Sequence, residues 1–224
     1  MKKVIVFNGS PAASESNTNV IVQAFLKGAR LAGAETENVF LIDKNINHCR
    51  GCFTCWFKTP GKCIYNDDMK ELINKYNNAD IVCFGTPVYT WNMTASLKNF
   101  VDRLAPLKSP IATNENGNFD LKDSIEKTQK FAVISNCGFP GENNFHTMKE
   151  VFKSCNPVLE IYRNSGKLLK SKDEKIKNIV ENYLEYVKQA GYELVKEGKV
   201  SEITKSNLSK DLVSQQEYLK YIGM

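Results

Sequence analysis

The stretch from Lys3 to Phe25 constrains the fold more than any other part of the chain. An apolar run, Val4-Ile5-Val6-Phe7, gives way to Asn8-Gly9-Ser10-Pro11 and the small or polar residues from Ala12 to Asn19. Val20-Ile21-Val22-Gln23-Ala24-Phe25 then follows at helical spacing. The pattern reads as a buried strand, a hydroxyl-rich loop and a helix. A helix that starts at the end of a parallel strand offers unpaired backbone N–H groups and the positive end of its dipole, so it holds a phosphate without a basic residue. This loop has no Lys or Arg, and Ser10, Ser14, Ser16, Asn17, Thr18 and Asn19 supply hydrogen-bonding side chains. Neither Gly-x-x-x-x-Gly-Lys-Ser/Thr nor Gly-x-Gly-x-x-Gly is present. On this segment alone two readings stay open: an anion site, and an ordinary helix cap in which Ser16 or Asn17 satisfies one orphan amide.

Strand and helix patterns alternate along the rest of the chain. Val39–Ile42 is a second strand, and Ala79–Gly85 a nearly all-apolar third, as expected of a strand buried on both faces. Phe131–Ser135 and Val158–Tyr162 supply a fourth and a fifth. Helices are expected up to about Ala32, from Asp67 or Asp68 through Tyr76, through Leu97, Phe100, Val101 and Leu104, and from about Asn144 to Ser154. Residues 106–128 read as a loop with short structure around the turn-prone Asn114-Glu115-Asn116-Gly117-Asn118. The alternation argues an α/β fold with a five-stranded parallel sheet, order 2-1-3-4-5, and helices on both faces. Ligands of such sheets gather beyond the strand C-termini, where the first, third and fourth βα loops lie. Residues 1–165 form this domain, with a cysteine-rich loop at 43–66. Residues 166–224 form a helical C-terminal arm packing on the domain or on a partner subunit, too short for a core of its own.

At 224 residues and 42% hydrophobic, the chain is long enough for one full core. The net charge of +5 is spread along the chain rather than gathered in a block, which argues a solvated surface and no nucleic-acid partner. Met1-Lys2-Lys3 leads straight into a strand-like run, so no signal peptide is expected, and no window reaches the roughly 18 apolar residues of a membrane span. The expectation is a soluble, cytoplasmic protein without membrane contact.

Four of the seven cysteines, Cys49, Cys52, Cys55 and Cys63, are spaced C-x2-C-x2-C-x7-C. Thiolates at this spacing converge on one centre, and four of them suit an iron–sulfur cube. Tetrahedral zinc also takes four thiolates, though more often as two separated pairs. Free or redox-active thiols are the third reading. Gly51 and Pro60-Gly61 permit the tight backbone path a metal loop requires. His48 stands beside Cys49, either as an extra ligand or as a plain loop histidine, while Cys83 and Cys155 read as core residues.

The first loop resembles the phosphate loop of the flavodoxin-like flavoproteins, in particular the NAD(P)H-dependent FMN reductase family, through Gly9, Ser10, Pro11, Ser16, Asn17 and Thr18. Glu15 departs from the pattern, and its side chain must point to solvent if a dianion binds here. The loop after the third strand, Thr86-Pro87-Val88-Tyr89-Thr90-Trp91-Asn92-Met93-Thr94, offers aromatic and thioether bulk, a rigid proline and an amide. By residue type alone it is either a bed for a flat ring or a surface loop whose aromatics merely pack. The resemblance implies that Pro87, Val88, Tyr89, Thr90, Trp91, Asn92 and Met93 carry an isoalloxazine. Asn136, Cys137 and Gly138 match the family's third flavin-contacting loop loosely, and Cys137 also fits as a small buried filler. Asp102-Arg103 fits the family pattern in a structural role. The cysteine run, with the following Asp67-Asp68-Met69, resembles the iron–sulfur flavoprotein branch of the family, in which a 4Fe-4S cluster exchanges electrons with FMN.

The resemblance implies an FMN-dependent oxidoreductase passing electrons from NAD(P)H or a reduced carrier to a small acceptor such as a quinone, flavin, nitro compound or metal. It is expected to be a homodimer or higher homo-oligomer, with a ferredoxin-type partner if the cluster is present. A non-enzymatic electron carrier and a thiol or metal redox sensor are the alternatives. No catalytic acid or base is expected, because the flavin does the chemistry.

Overall fold

A computed structural model describes the backbone of residues 1–115, 118–123 and 129–224, and the side chains of residues 1–108 and 129–224. In chain order the strands are β1 (Lys3–Asn8), β2 (Glu35–Phe40), β3 (Ile81–Pro87), β4 (Lys108–Glu115), β5 (Asn118–Asp123), β6 (Lys130–Asn136) and β7 (Leu159–Arg163). Five of them form one parallel sheet in the order β2-β1-β3-β6-β7. Counted within that sheet, this is the expected order 2-1-3-4-5. The register pairs Asn8 with Gly85 and Pro87 with Asn136, so β1, β3 and β6 deliver their following loops to the same edge.

Alternate residues of each strand feed two cores. Val4, Val6, Ile81, Cys83, Ala132 and Ile134 pack with α1 (Asn17–Leu31) on one face. Ile5, Phe7, Val82, Phe84 and Val133 pack on the other, and α2 (Thr54–Phe57) lies in the cysteine loop. That second face is covered by α3 (Met69–Asn77), α4 (Ala95–Asp102) and α5 (His146–Lys153) through residues such as Leu72, Phe100 and Phe152. Each fully buried Val, Ile, Leu or Phe contributes roughly 1.5–3 kcal/mol. Central strands buried on both faces therefore read as unbroken apolar runs.

The C-terminal helices α6 (Glu174–Glu197), α7 (Glu202–Ser209) and α8 (Gln215–Tyr221) complete the α1 side. α1 and α6 meet at glycines: a Cβ on Gly28 would lie 1.8 Å from Lys188 O, and one on Gly191 would lie 2.1 Å from Phe25 O. Buried Arg163 donates to Leu208 O and Lys210 O and stacks on Tyr183, tying the end of β7 to α6 and the end of α7.

Three elements depart from the sequence reading. The second strand runs over Glu35–Phe40, and Leu41–Asp43 is a 3₁₀ turn. β2 is an edge strand with its polar residues half in solvent, so it lacks the apolar run that marked Val39–Ile42. Within the expected loop 106–128, β4 and β5 pair as an antiparallel hairpin outside the main sheet. Asn116 and Gly117 of the proposed turn lie outside the described residues. The helix through Leu104 closes earlier, at Asp102. Among the described residues no helix is long and apolar enough to cross a membrane.

Candidate functional site

The loop after β1 bends through a 3₁₀ turn, Ala13–Glu15, into α1. Ser16 is the helix N-cap: its Oγ accepts from Asn19 N at 3.0 Å and donates to Ala13 O at 2.8 Å. The cap reading therefore holds for Ser16 itself. It leaves Asn17 and Thr18, the first helical residues, with amides that have no carbonyl a turn earlier to bond. Ser10 is buried, and its amide donates to Asn8 Oδ1 at 3.1 Å. Thr18 Oγ1 donates to Asn136 Oδ1 at 2.6 Å, joining the first loop to the end of β6. Pro11 is exposed at the loop surface. The Glu15 side chain is 86% exposed and 3.9 Å from Lys170 Nζ, so it stands in solvent as a phosphate site there requires.

The loop after β3 is fastened to the first by a residue whose role the sequence reading passed over. Thr94 caps α4, its Oγ1 accepting from Leu97 N at 3.4 Å and donating to Gly9 O at 2.6 Å. Gly9 has no room for a side chain, since a Cβ would come within 2.6 Å of Leu97 Cβ and 2.8 Å of Thr94 Oγ1. A threonine directly before an apolar helical run is a readable N-cap, and that was the signal available. Val88 N donates to Asn136 O at 2.8 Å, fixing this loop to the third as well.

Between Val88 and Thr94 the chain makes a two-residue reverse turn. Tyr89 and Asn92 exchange backbone hydrogen bonds of 2.9 and 3.0 Å, with Thr90 at φ +47° and Trp91 at φ +60°. Such a turn prefers Asn-Gly, and left-handed backbone at a β-branched or bulky residue costs on the order of 1–3 kcal/mol. Tyr89 and Trp91 are nevertheless 56% and 64% exposed, so their burial offsets little of that cost. Asn92 Oδ1 accepts from Met93 N, and Met93 is buried beneath the turn.

In the third loop Asn136 and Cys137 are buried. Burial pushes the Cys137 thiol up to about 11, and its Sγ lies 3.1 Å from Phe139 O, so it is a protonated filler. Gly138 O accepts a hydrogen bond from Tyr218 of α8, so the C-terminal arm touches the loop that carries Cys137.

The cysteine loop stands beside α4. Cys49, Cys52, Cys55 and Cys63 line one small cavity together with Phe53, Tyr65 and Arg103. Cys49 and Cys52 are exposed and Cys55 and Cys63 half-buried, all with free thiols. Hydrogen bonds from Thr54 lower the pKa of the Cys52 thiol, whereas burial and then the neighbouring Cys63 raise that of Cys55. Arg103 Nη2 donates to Cys63 Sγ at 3.4 Å, and Trp56 Nε1 donates to Ala105 O at 2.7 Å. The donor chemistry fits a thiolate-ligated group. Among the described residues, though, no three His, Cys, Asp or Glu side chains converge as a ready metal site.

Residues 2–119, just over half of the chain, match the family described as NADPH-dependent FMN reductase. The chain belongs to that family. It is thereby an NAD(P)H-dependent FMN oxidoreductase, and its relatives place it in the iron–sulfur flavoprotein branch. It is 34% identical over 152 residues to an iron–sulfur flavoprotein of Methanocaldococcus jannaschii, covering 63% of this chain and 77% of that one. An iron–sulfur flavoprotein of Archaeoglobus fulgidus is 28% identical over 219 residues, covering 87% of this chain and 98% of its own. Among solved structures, an FMN-dependent NADH-azoreductase from Bacillus anthracis in complex with FMN has a TM-score of 0.62 at 14% identity, covering 87% of this chain and all of that one. An NAD(P)H:quinone oxidoreductase from Methanothermobacter marburgensis has 0.60 at 18%, covering 87% and 96%. At these identities the two structures speak to the fold, which they share.

Proposed function

We propose that this FMN oxidoreductase passes electrons from NAD(P)H or a reduced carrier to a small acceptor, of the quinone, flavin, nitro-compound or metal class, and that its cysteine loop holds a 4Fe-4S cluster. The observation that carries the flavin reading is the locking of the three loops at one sheet edge by the Thr94–Gly9, Thr18–Asn136 and Val88–Asn136 bonds. FMN, when bound, supplies both the two-electron and the one-electron chemistry. The protein's part is to bind and orient. The free amides of Asn17 and Thr18, with Ser10 and the α1 dipole, hold the phosphate, and Pro11 stiffens the loop that presents them. Residues Pro87 to Met93 and the Asn136-Cys137-Gly138 loop border the ring, with Tyr89 and Trp91 providing aromatic surface on the acceptor side.

Cys49, Cys52, Cys55 and Cys63 would hold the cluster, which supplies one-electron transfer between flavin and acceptor. The line-up of all four thiols along one cavity supports this, and the exposure of Cys49 and Cys52 would let a ferredoxin-type partner approach. We read residues 166–224 as an extension of the same unit, and the active form as a homodimer.

The test is purification without oxygen, followed by iron, acid-labile sulfide and FMN per chain, and NAD(P)H oxidation with a quinone, free flavin and a nitro compound. About four irons and four sulfides with one flavin supports the whole reading. One flavin without iron leaves an FMN reductase whose cysteine loop acts through its thiols, and absence of flavin overturns the reading.

A further inference from the structure

The four thiols of the cysteine loop share their cavity with one buried cation. Cys49, Cys52, Cys55 and Cys63 line it together with Arg103, which reaches it from the end of α4. A guanidinium is always charged, and this side chain is 1% exposed. Its Nη2 donates to Cys63 Sγ at 3.4 Å, a charge-assisted contact. The same fork binds the two oxygens of Asp67, whose side chain is also buried, at 2.7 and 3.1 Å. Arg50 and Asp102 border the cavity too, but both are exposed, and Asp102 pairs with Lys98. Water and salt screen those two charges far more than they screen the buried pair. A buried cation that touches a ligand sulfur does more than hold a loop. An electron taken up at the thiolates adds a negative charge there, and a neighbouring cation or N–H donor favours the state that carries it. Asp67 offsets part of that effect, but of the two partners it is the guanidinium that donates to the sulfur.

We propose that Arg103 raises the reduction potential of the cluster held by Cys49, Cys52, Cys55 and Cys63, acting through the Cys63 sulfur, and that Asp67 limits the rise. The inference rests on the iron–sulfur reading above and adds to it the residue pair that sets how readily the electron is accepted. The step it serves is electron transfer alone. One electron passes from the flavin, reduced by NAD(P)H, to the cluster; no covalent bond changes, and Cys63 neither gains nor loses a proton.

The test is a dithionite titration of the anaerobically purified protein in the presence of redox dyes, following the EPR signal of the reduced cluster and the iron per chain, for the wild type, Arg103→Gln and Asp67→Asn. Arg103→Gln removes the charge and should disfavour the reduced cluster about tenfold, a fall of about 59 mV for one electron. Asp67→Asn leaves Arg103 on the sulfur and removes the opposing carboxylate, so it should favour the reduced cluster by about threefold or more. A purely structural role cannot give shifts of opposite sign, since both variants break the same ion pair. If one variant fails to fold or loses its iron, the sign of the other decides. Shifts of the same sign, or none, overturn the proposal alone, and so does iron loss from both variants, which would make the pair a clamp and nothing more. A wild type without iron overturns the iron–sulfur reading with it.

Discussion

Arg103 and Asp67 form a buried two-point ion pair, with Nη1–Oδ2 at 2.7 Å and Nη2–Oδ1 at 3.1 Å, that closes the cysteine loop against the end of α4. The same guanidinium donates to Asn47 O and to Cys63 Sγ and lies over the Tyr65 ring, so one side chain holds both ends of the loop. Burial acts to raise the Asp67 pKa, but the hydrogen bonds from Arg103 and Asn47 outweigh it and hold it at about 2, below its ordinary 3.8. A depressed carboxylate contributes stability that is complete above the unfolded pKa and is lost as pH falls through the folded one. The stabilisation should therefore disappear between about pH 4 and pH 2. Asp67→Asn leaves a buried cation half-paired and should cost about 3–5 kcal/mol in urea unfolding at neutral pH. It should also flatten the acid limb of the stability curve. An Asp67→Asn variant that loses stability between pH 4 and 2 as steeply as the wild type would assign that limb to other groups.

The Thr90-Trp91 turn should trade function for stability. Replacing the pair by Asn-Gly suits the left-handed backbone and should stabilise the protein by roughly 1–2 kcal/mol, seen as a higher Tm. It also removes an indole from the face where the flavin is proposed to lie. The flavin Kd should rise about tenfold. A variant that gains stability and keeps full flavin affinity and quinone turnover would show that Trp91 is a passive surface residue.

What the sequence made legible follows from burial. Strands covered on both faces, such as Ile81–Pro87, must be apolar throughout, so the central strands β1, β3 and β6 could be read, while the edge strand β7 alternates buried Leu159 and Ile161 with exposed Glu160. The edge strand β2 and the hairpin of β4 and β5 carry no such demand: β2 was misplaced, and of the hairpin only short structure around Asn114–Asn118 was legible, not its two strands. In the site, Ser16 announced itself as a cap because capping is local and has a short range in sequence. The contacts that join the loops, Thr94 to Gly9, Thr18 to Asn136 and Arg103 to Asp67, span 85, 118 and 36 residues, and no local pattern encodes them. The helical arm over 166–224 was readable, yet its partner was not: only the structure shows that Gly28 and Gly191 let α1 and α6 approach.

That approach makes a direct prediction. Alanine at Gly28 or Gly191 would ordinarily gain about 1 kcal/mol of helix propensity. Here each new Cβ meets backbone rather than a movable side chain, so the helices must separate. Each substitution should destabilise by about 1–3 kcal/mol, and the double variant should cost less than the sum, because one separation accommodates both. Urea unfolding of the two single variants and the double checks this, and additive losses would mean that the two glycines act independently.

Glu193 tests the C-terminal arm in the same spirit. It is buried near the end of α6, and its carboxylate accepts from Ser201 N at 2.9 Å, Ser201 Oγ at 3.1 Å, Thr204 Oγ1 at 3.0 Å and Gln189 Nε2 at 3.0 Å. Burial acts to raise its pKa, but these four donors prevail and lower it, so the folded state favours the ionised form. Its stabilising effect is present above the ordinary glutamate range and is lost as pH falls through the depressed folded value. Glu193→Gln turns one acceptor atom into a donor facing donors and should cost about 1–3 kcal/mol at neutral pH. Hydrogen exchange should then show the amides of α7 opening first, since Glu193 holds the Ser201 cap from which α7 starts. Unchanged protection in α7 would mean that its packing through Leu208, and not this cap, holds the arm in place.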